Sequence, residues 1–212
     1  ISRARRDEFI SFGVTYYESL RDTEDNRTLP TTLLDAEFTR RYVPPVIGGI
    51  ATFSLISQGH DRRDESDITG RDMGSVTATG NWRRDWILPA GLVAAAEAEF
   101  YADTYVINQD STYETSVTRF TPYLATELSW PLMRASANGV SHVIEPTIQL
   151  VWSPDDDGVD DIPNEDSVSV EFDEANLFDL NRFPGSDERE AGSRLTFGLT
   201  YNRYDPAGWT LG

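Results

Sequence analysis

The chain has 212 residues and a formal charge of −18, a balance that excludes nucleic-acid binding, which needs clustered cations to displace counterions. Cysteine is absent, which removes both a disulfide framework and a thiolate metal site. No stretch approaches the roughly 18 consecutive apolar residues of a membrane-spanning helix; the most apolar run, Leu88–Ala96, leads straight into Glu97 and Glu99.

The opening Ile1–Arg6 has no apolar core and is not read as a signal peptide, so the expectation is a fragment of a longer protein. The first clear element follows. Ile10, Phe12, Val14 and Tyr16 alternate with Ser11, Gly13 and Thr15, and successive side chains of a strand face opposite sides. The ribbon therefore has one apolar and one polar face. Leu34, Ala36 and Phe38 repeat the pattern against Asp35, Glu37 and Thr39. Ile50–Ser57 is poorer, with apolar residues on both faces, and is still read as a strand. Val76, Ala78 and Trp82 oppose Ser75, Thr77, Thr79 and Asn81. Leu92, Ala94, Ala96, Ala98 and Phe100 oppose Glu97, Glu99 and Tyr101. Phe120, Leu124 and Leu128 oppose Arg119, Thr121 and Glu127. Ile144, Ile148, Leu150 and Trp152 oppose Glu145, Thr147 and Gln149. Leu195, Phe197, Leu199 and Tyr201 oppose Thr196, Gly198, Thr200 and Asn202.

These runs predict about eight antiparallel strands. Long polar connections are expected near 18–32, 58–74, 107–116 and 153–192, and shorter ones near 43–49, 85–91, 131–139 and 205–208. Long and short alternate, as they do where short turns face the periplasm and long loops face outside. Tyr42, Trp82, Trp86, Trp130, Tyr204 and Trp209 all fall beside the short turns, where a headgroup-level aromatic girdle belongs. The carboxylates in the strands fall on the polar side, and one on a lipid face would cost about 2–4 kcal/mol near the midplane. The fold class read from this is all-β: an antiparallel transmembrane β-barrel, with residues 1–212 part of a single outer-membrane barrel domain. A soluble carbohydrate-binding β-sandwich, which also alternates, is the bland rival; its strands are usually shorter.

Chemistry-bearing motifs are scarce. His60 is expected in a polar loop and His142 near a strand start, with no second histidine at ligand spacing. Phosphate-cradling glycine loops, nucleophile elbows and HExxH are absent. Glu97 and Glu99 share a face and suit acid–base work in principle, but lumen lining accounts for them; the chain is not expected to be an enzyme or to hold a cofactor or metal. Between Asp155 and Glu190 there are 14 acidic and 2 basic residues, a net −12 of the total −18. Within it, Asp155-Asp156-Asp157-Gly158-Val159-Asp160-Asp161 lacks the spacing of an EF-hand. It reads as a solvated acidic loop, with divalent cations bridging to lipid phosphates as the functional alternative. The segment 153–192 as a whole is expected to be a long, acidic, extracellular loop. Phe172, Leu177, Phe178, Leu180 and Phe183 are too many aromatics and aliphatics for a free loop, so it is expected to fold back on the barrel mouth or lumen.

The run Phe172-Asp173-Glu174, Asn176-Leu177-Phe178, Asn181-Arg182-Phe183, Gly185, Asp187-Glu188, followed by Gly192 and Arg194–Leu199, resembles the lipopolysaccharide-assembly outer-membrane family, LptD (OstA). His142–Pro146, Trp152-Ser153-Pro154, and Asp85-Trp86 before Leu88-Pro89 and Gly91 are similar to it as well. The resemblance implies a barrel of about 26 strands in the outer membrane of a Gram-negative cell. It also implies a preceding periplasmic jelly-roll, an LptE-like lipoprotein plug, and periplasmic Lpt bridge proteins reached through an N-terminal domain absent from this stretch. The implied function is a translocon that inserts lipopolysaccharide into the outer leaflet, with no covalent chemistry and a lateral gate between the first and last strands, neither of which this stretch is expected to contain. Family members often carry cysteines tying barrel to periplasmic domain; this stretch has none. Glu97, Glu99, Tyr101, Arg119, Glu127, Glu145 and Gln149 are the lumen-facing candidates. Asp173, Asn176, Leu177, Phe178, Asn181, Arg182, Phe183 and Gly185, with Phe172, make up the family-motif loop. Another outer-membrane barrel, a porin or an uptake receptor, is the nearer alternative.

Overall fold

The computed structural model describes residues 1–155, 161–167 and 173–212. Among them, eleven strands form one antiparallel sheet. They are β1 (Ser2–Ala4), β2 (Glu8–Tyr16), β3 (Thr32–Tyr42), β4 (Ile50–Asp61), β5 (Asp72–Ile87) and β6 (Val93–Asn108). Then come β7 (Ser116–Ser129), β8 (Leu132–Ala135), β9 (Ser141–Trp152), β10 (Ser193–Tyr204) and β11 (Thr210–Leu211). Neighbours in sequence are neighbours in space, except that β7 and β8 both pair with β9. The sheet is open, with β1 and β11 at opposite ends of the order.

All eight expected strands are present, and most run further than the alternation alone marked. β5 and β6 pair over their whole lengths, Asp72↔Asn108 to Ile87↔Val93, so the stretch read as a loop near 58–74 shrinks to 62–71 and that near 107–116 to 109–115. The latter is no longer than the turn at 43–49, so the contrast between long and short connections is weaker there than the sequence suggests. Four of the nine residues of the connection expected at 131–139 are strand. β7 pairs β9 as far as Ser129↔Thr147 and β8 resumes at Leu132↔Ile144 in the same register. Pro131 has no N–H to give the ladder, so it interrupts the strand without shifting it.

Register keeps the two faces separate across the sheet. Ile10, Phe38, Leu55, Ala78, Ala102 and Phe120 form one cross-strand row. Phe9, Thr39, Ser54, Thr79, Tyr101 and Thr121 form the adjacent row on the opposite face, where Thr39 and Ser54 share a 2.8 Å hydroxyl hydrogen bond. A slip of one residue would exchange the two faces.

The apolar face is bare. Phe12, Phe53, Phe120, Leu124, Phe197 and Leu199 are all exposed, and among the described residues no second layer covers them. Phe12, Leu34 and Leu199, three residues a sandwich would bury, are open. The polar face is covered instead. Residues 161–167 and 173–192 cross it as a strap, and the core lies between strap and sheet: Met73, Tyr105 and Ile107 around Ile162, and Tyr123, Ala125 and Val151 around Leu180. The segment expected to fold back does so. No helix is long and apolar enough to cross a membrane, a test silent on barrels.

Candidate functional site

The covered face is where the polar side chains converge. Period two carries Glu97, Glu99, Tyr101, Asp103, Tyr105 and Ile107 of β6 onto it. Register then sets Arg119 opposite Asp103, Tyr123 opposite Glu99, and Gln149 opposite Glu127.

Asp103 is the hub. Its side chain is fully buried and accepts hydrogen bonds from Thr77 Oγ1 (2.7 Å), from Arg119 Nε and Nη2 (3.1 and 3.0 Å) and from Arg189 Nη2 (3.2 Å). A buried carboxylate is tolerated only with such partners. Arg119 also donates to the carbonyls of Ser186 and Asp187, each at 2.6 Å, and Tyr105 donates to Ser186 O at 2.7 Å. Arg189 lies 4.0 Å from the centre of the Tyr101 ring, an arrangement favoured by the ring quadrupole. Strap and sheet are thus joined by ions as well as by apolar packing.

A second cluster sits nearer the short turns. Arg83 pairs with Glu127 (2.7 Å) and Glu97 (3.2 Å), and Asn81 donates to Glu97 at 2.7 Å. Gln149, almost wholly buried, donates to Phe178 O at 2.9 Å and reaches Glu127 at 3.4 Å. Glu99 accepts from Tyr101 at 2.9 Å. Between this cluster and the strap is a polar cavity of about 480 Å³ lined by Arg83, Glu97, Glu99, Glu127, Asp179 and Asn181, among others. Glu145 is on the same face of β9 but joins neither cluster. Of the seven sequence candidates, six are brought together, with Glu145 apart.

Each described residue of the family-motif loop has a task in the strap. Asp173 and Asn176 cap one another's turn, with Asp173 Oδ1 accepting from Ala175 N (2.8 Å) and Asn176 Oδ1 from Asp173 N (3.1 Å). Phe178 and Leu177 lie over Gly198 of β10, where an added Cβ would sit 2.7 Å from the Phe178 ring. Asn181 accepts from Glu190 N at 3.0 Å, while Arg182 and Arg194 both grip the Glu190 carboxylate. Tyr123 donates to Glu190 O at 2.7 Å. Gly185 lies against Asp166, leaving no room for a side chain. Phe183, with Ile56 of β4, lines a cavity beneath the strap, which accounts for the apolar residue on the polar face of that strand. Phe172 lies outside the described residues, as do Asp156–Asp160 of the acidic run.

The strap is also tied to itself and to the neighbouring loops. Asp166 accepts from Ser186 N (2.9 Å) and Asp187 N (3.0 Å), while Asp187 accepts from Glu165 N (2.8 Å) and Asp166 N (3.2 Å). Burial pushes the Asp187 carboxyl up to about 6, with the Asp166 charge adding to it. Burial acts the same way on Asp166, but the amides of Ser186 and Asp187 outweigh it and hold that carboxyl below its usual range. Glu165 bridges Arg62 (2.8 Å) and Arg71 (2.9 Å), and Arg71 reaches Asp110 at 2.7 Å. Those guanidinium bonds overcome burial and keep Glu165 ionised to lower pH than usual. His60 lies beside Arg62 at 2.8 Å; His142 stacks on Tyr201 and bonds its hydroxyl at 2.9 Å.

Asp103, Tyr105, Tyr123, Arg83, Arg189 and Glu190 are not among the sequence candidates, and Asp187 and Arg194 enter there only through the family resemblance. Continuing the odd-numbered register of β6 past Tyr101 reaches Asp103 and Tyr105. Nothing local marks Asp187, Arg189 and Glu190 as sheet partners, because their contacts span long sequence separations.

A model for the family described as LptD, LPS transport system D, matches residues 4–211. The chain belongs to the LptD family. Membership ties it to lipopolysaccharide transport, and the match spans both the sheet and the strap. No curated protein matches the chain. In LptD terms, the motif residues between Asp173 and Gly198 are those that clamp the strap onto the sheet, and the acidic ladder of β6 lies beneath it.

Proposed function

We propose that this chain forms part of the wall of a closed outer-membrane barrel, a translocon that delivers lipopolysaccharide to the outer leaflet. The observation that carries the reading is the inversion of the two faces. Apolar side chains are open, while the polar face holds a buried ionic core under the chain's own loop. A water-soluble sheet buries its apolar side; a sheet standing in lipid exposes it and turns polar groups inward. Among the described residues of the strands, charges on the bare face sit only at strand ends: Arg3, Glu8, Arg40, Arg84, Arg134 and Arg203 at one end, Asp61 and Asp72 at the other. The open edges at β1 and β11 would be paired by further strands of the barrel, since unpaired backbone is costly in hydrocarbon.

In this reading the covered face lines the lumen. Saccharide is handled by the hydrated stretches that the strap leaves open, such as Asp35 and Thr200. The same polar surface suits an LptE-like lipoprotein plug, with periplasmic Lpt bridge proteins engaging a separate domain. No covalent step is required, so the chain acts as a conduit and not as an enzyme.

Reversing charge at Glu97 and Glu99 together in the full-length protein tests the lumenal assignment. Transport is expected to fail, read as increased outer-membrane permeability, whereas the same change at exposed Asp22 and Glu65 is tolerated. Equal tolerance of both pairs contradicts it.

A further inference from the structure

The bare face is not uniform. At its short-turn end it carries Arg3, Arg40, Arg84, Arg134 and Arg203 against two carboxylates, each already paired: Glu8 lies 3.5 Å from Arg3 and Asp205 lies 3.3 Å from Arg203. At its long-loop end its strands carry Asp61 and Asp72, and Arg63 of the following loop, paired with Glu18, lies 5.7 Å from the centre of the Tyr16 ring. Arg84 and Arg203 lie over Trp86 and Trp209, at 5.1 and 4.7 Å. Arg40 has no ion-pair partner among the described residues and is exposed.

Arg40 stands at the mouth of a groove of about 830 Å³ on that face, lined by Phe53, Trp82, Phe100, Phe120 and Leu124. Gly80 forms its floor: a Cβ there would collide with the Phe100 ring, which lies against the strand at that point. Phe120 continues the wall, its ring centre 5.9 Å from that of Phe100. Arg40 is two residues from the end of β3, whereas Phe100 and Phe120 lie towards the middles of β6 and β7. Strands of a membrane barrel are tilted by roughly 35–45°, so a path across them from Arg40 to Phe120 also descends from headgroup level into hydrocarbon. A phospholipid has the same layout, with a phosphate at the surface and a chain running inward.

We propose that this groove is a binding site for one anionic glycerophospholipid of the leaflet on the short-turn side, its phosphate at Arg40 and an acyl chain along Phe53, Phe100 and Phe120. The inference rests on the membrane reading above. Charge complementarity selects the ligand. A guanidinium near an anionic surface contributes about 1 kcal/mol, or about fivefold in affinity, and its donor fork matches phosphate geometry. The carboxylates at the opposite end of the same face repel such a headgroup.

The test uses the full-length barrel reconstituted in nanodiscs, moved to mild detergent, with retained lipid quantified by native mass spectrometry. Phosphatidylglycerol and phosphatidylcholine are the two probes. Arg40→Gln is expected to lower phosphatidylglycerol retention about fivefold and leave phosphatidylcholine unchanged. Ala98→Phe, which fills the groove, lowers both, and Arg134→Gln, away from the groove, lowers neither. Unchanged phosphatidylglycerol retention in Arg40→Gln, or an equal loss in Arg134→Gln, overturns the site while leaving the barrel intact. A wild-type protein that does not enter nanodiscs contradicts the membrane reading itself. Heat-modifiable gel migration confirms that each variant is folded.

Discussion

Arg189, carried by the strap, and Asp103, carried by β6, meet at 3.2 Å with side chains 4% and 0% exposed. The pair closes a network in which Asp103 also serves Arg119. Removing the carboxylate leaves two buried guanidinium groups without a counter-charge, a loss of about 3–5 kcal/mol. Removing Arg189 leaves Asp103 still bonded to Arg119 and Thr77, which costs about 1–2 kcal/mol. Urea unfolding of the full-length protein in micelles is therefore expected to rank Asp103→Asn well below Arg189→Gln. The reverse order would place the anchor elsewhere.

Gly198 gives a second, steric anchor. Gly198→Ala puts a methyl group 2.7 Å from the Phe178 ring, and overpacking of this kind costs about 1–3 kcal/mol. The strap, not the sheet, is expected to give way, seen as faster proteolysis within 173–192. Adding Phe178→Ala relieves the clash, so the double variant should be less sensitive than the sum of the two single ones.

Much of this was legible in the residues themselves. Eight strands follow from alternation because a sheet with one apolar and one polar face must keep its period, and Ile10–Tyr16 or Leu195–Asn202 show it without interruption. The ends of β5 and β6 were not legible, since Met73, Tyr105 and Ile107 are apolar residues on the polar face. Their reason for being apolar is Ile162, far along the chain. Arg83, close to a turn tryptophan, reads as a turn charge until Glu97 and Glu127 are seen beside it. The motif loop was recognisable as packed from its aromatics, yet what it packs on depends on contacts that local pattern does not encode.

The strap has a built-in pH response. Asp187 has its pKa raised by burial to about 6, above the ordinary value near 3.8, so the folded strap binds that proton more tightly than the released one. Its contribution to docking is fully present below about pH 4 and is lost as pH rises through about 6. Glu165 and Asp166 are shifted the other way, and theirs is lost as pH falls below the ordinary carboxylate range. Amide protection at Glu165 and Asp166, taken relative to the intrinsic exchange rate at each pH, is expected to be greatest between about pH 4 and 6, since their N–H groups donate to Asp187. Asp187→Asn, neutral and nearly isosteric, should remove the fall in protection above pH 6. A fall that persists in this variant would assign it to another group.

Leu199 and Thr200 are adjacent on β10 and lie on opposite faces of the sheet, Leu199 being 70% exposed. In water, arginine at an exposed leucine is close to neutral; in lipid it costs about 2–4 kcal/mol near the midplane. Leu199→Arg is expected to destabilise the full-length protein in bilayers by that amount, and Thr200→Arg to change it by less than about 1 kcal/mol. Equal effects would argue that both sides meet water.

The most direct measurement follows β10 residue by residue. This stretch has no native cysteine, so single cysteines can be placed from Arg194 to Tyr201 in a cysteine-free full-length background, spin-labelled, and probed in bilayers with oxygen and a water-soluble nickel chelate. Leu195, Phe197, Leu199 and Tyr201 are expected to favour oxygen, and Arg194, Thr196 and Thr200 the chelate or neither, with period two; Gly198, which has no room for a side chain, is left unchanged. Chelate access at Phe197 and Leu199 equal to that at Thr200 would show that hydrocarbon does not cover the apolar side of this sheet.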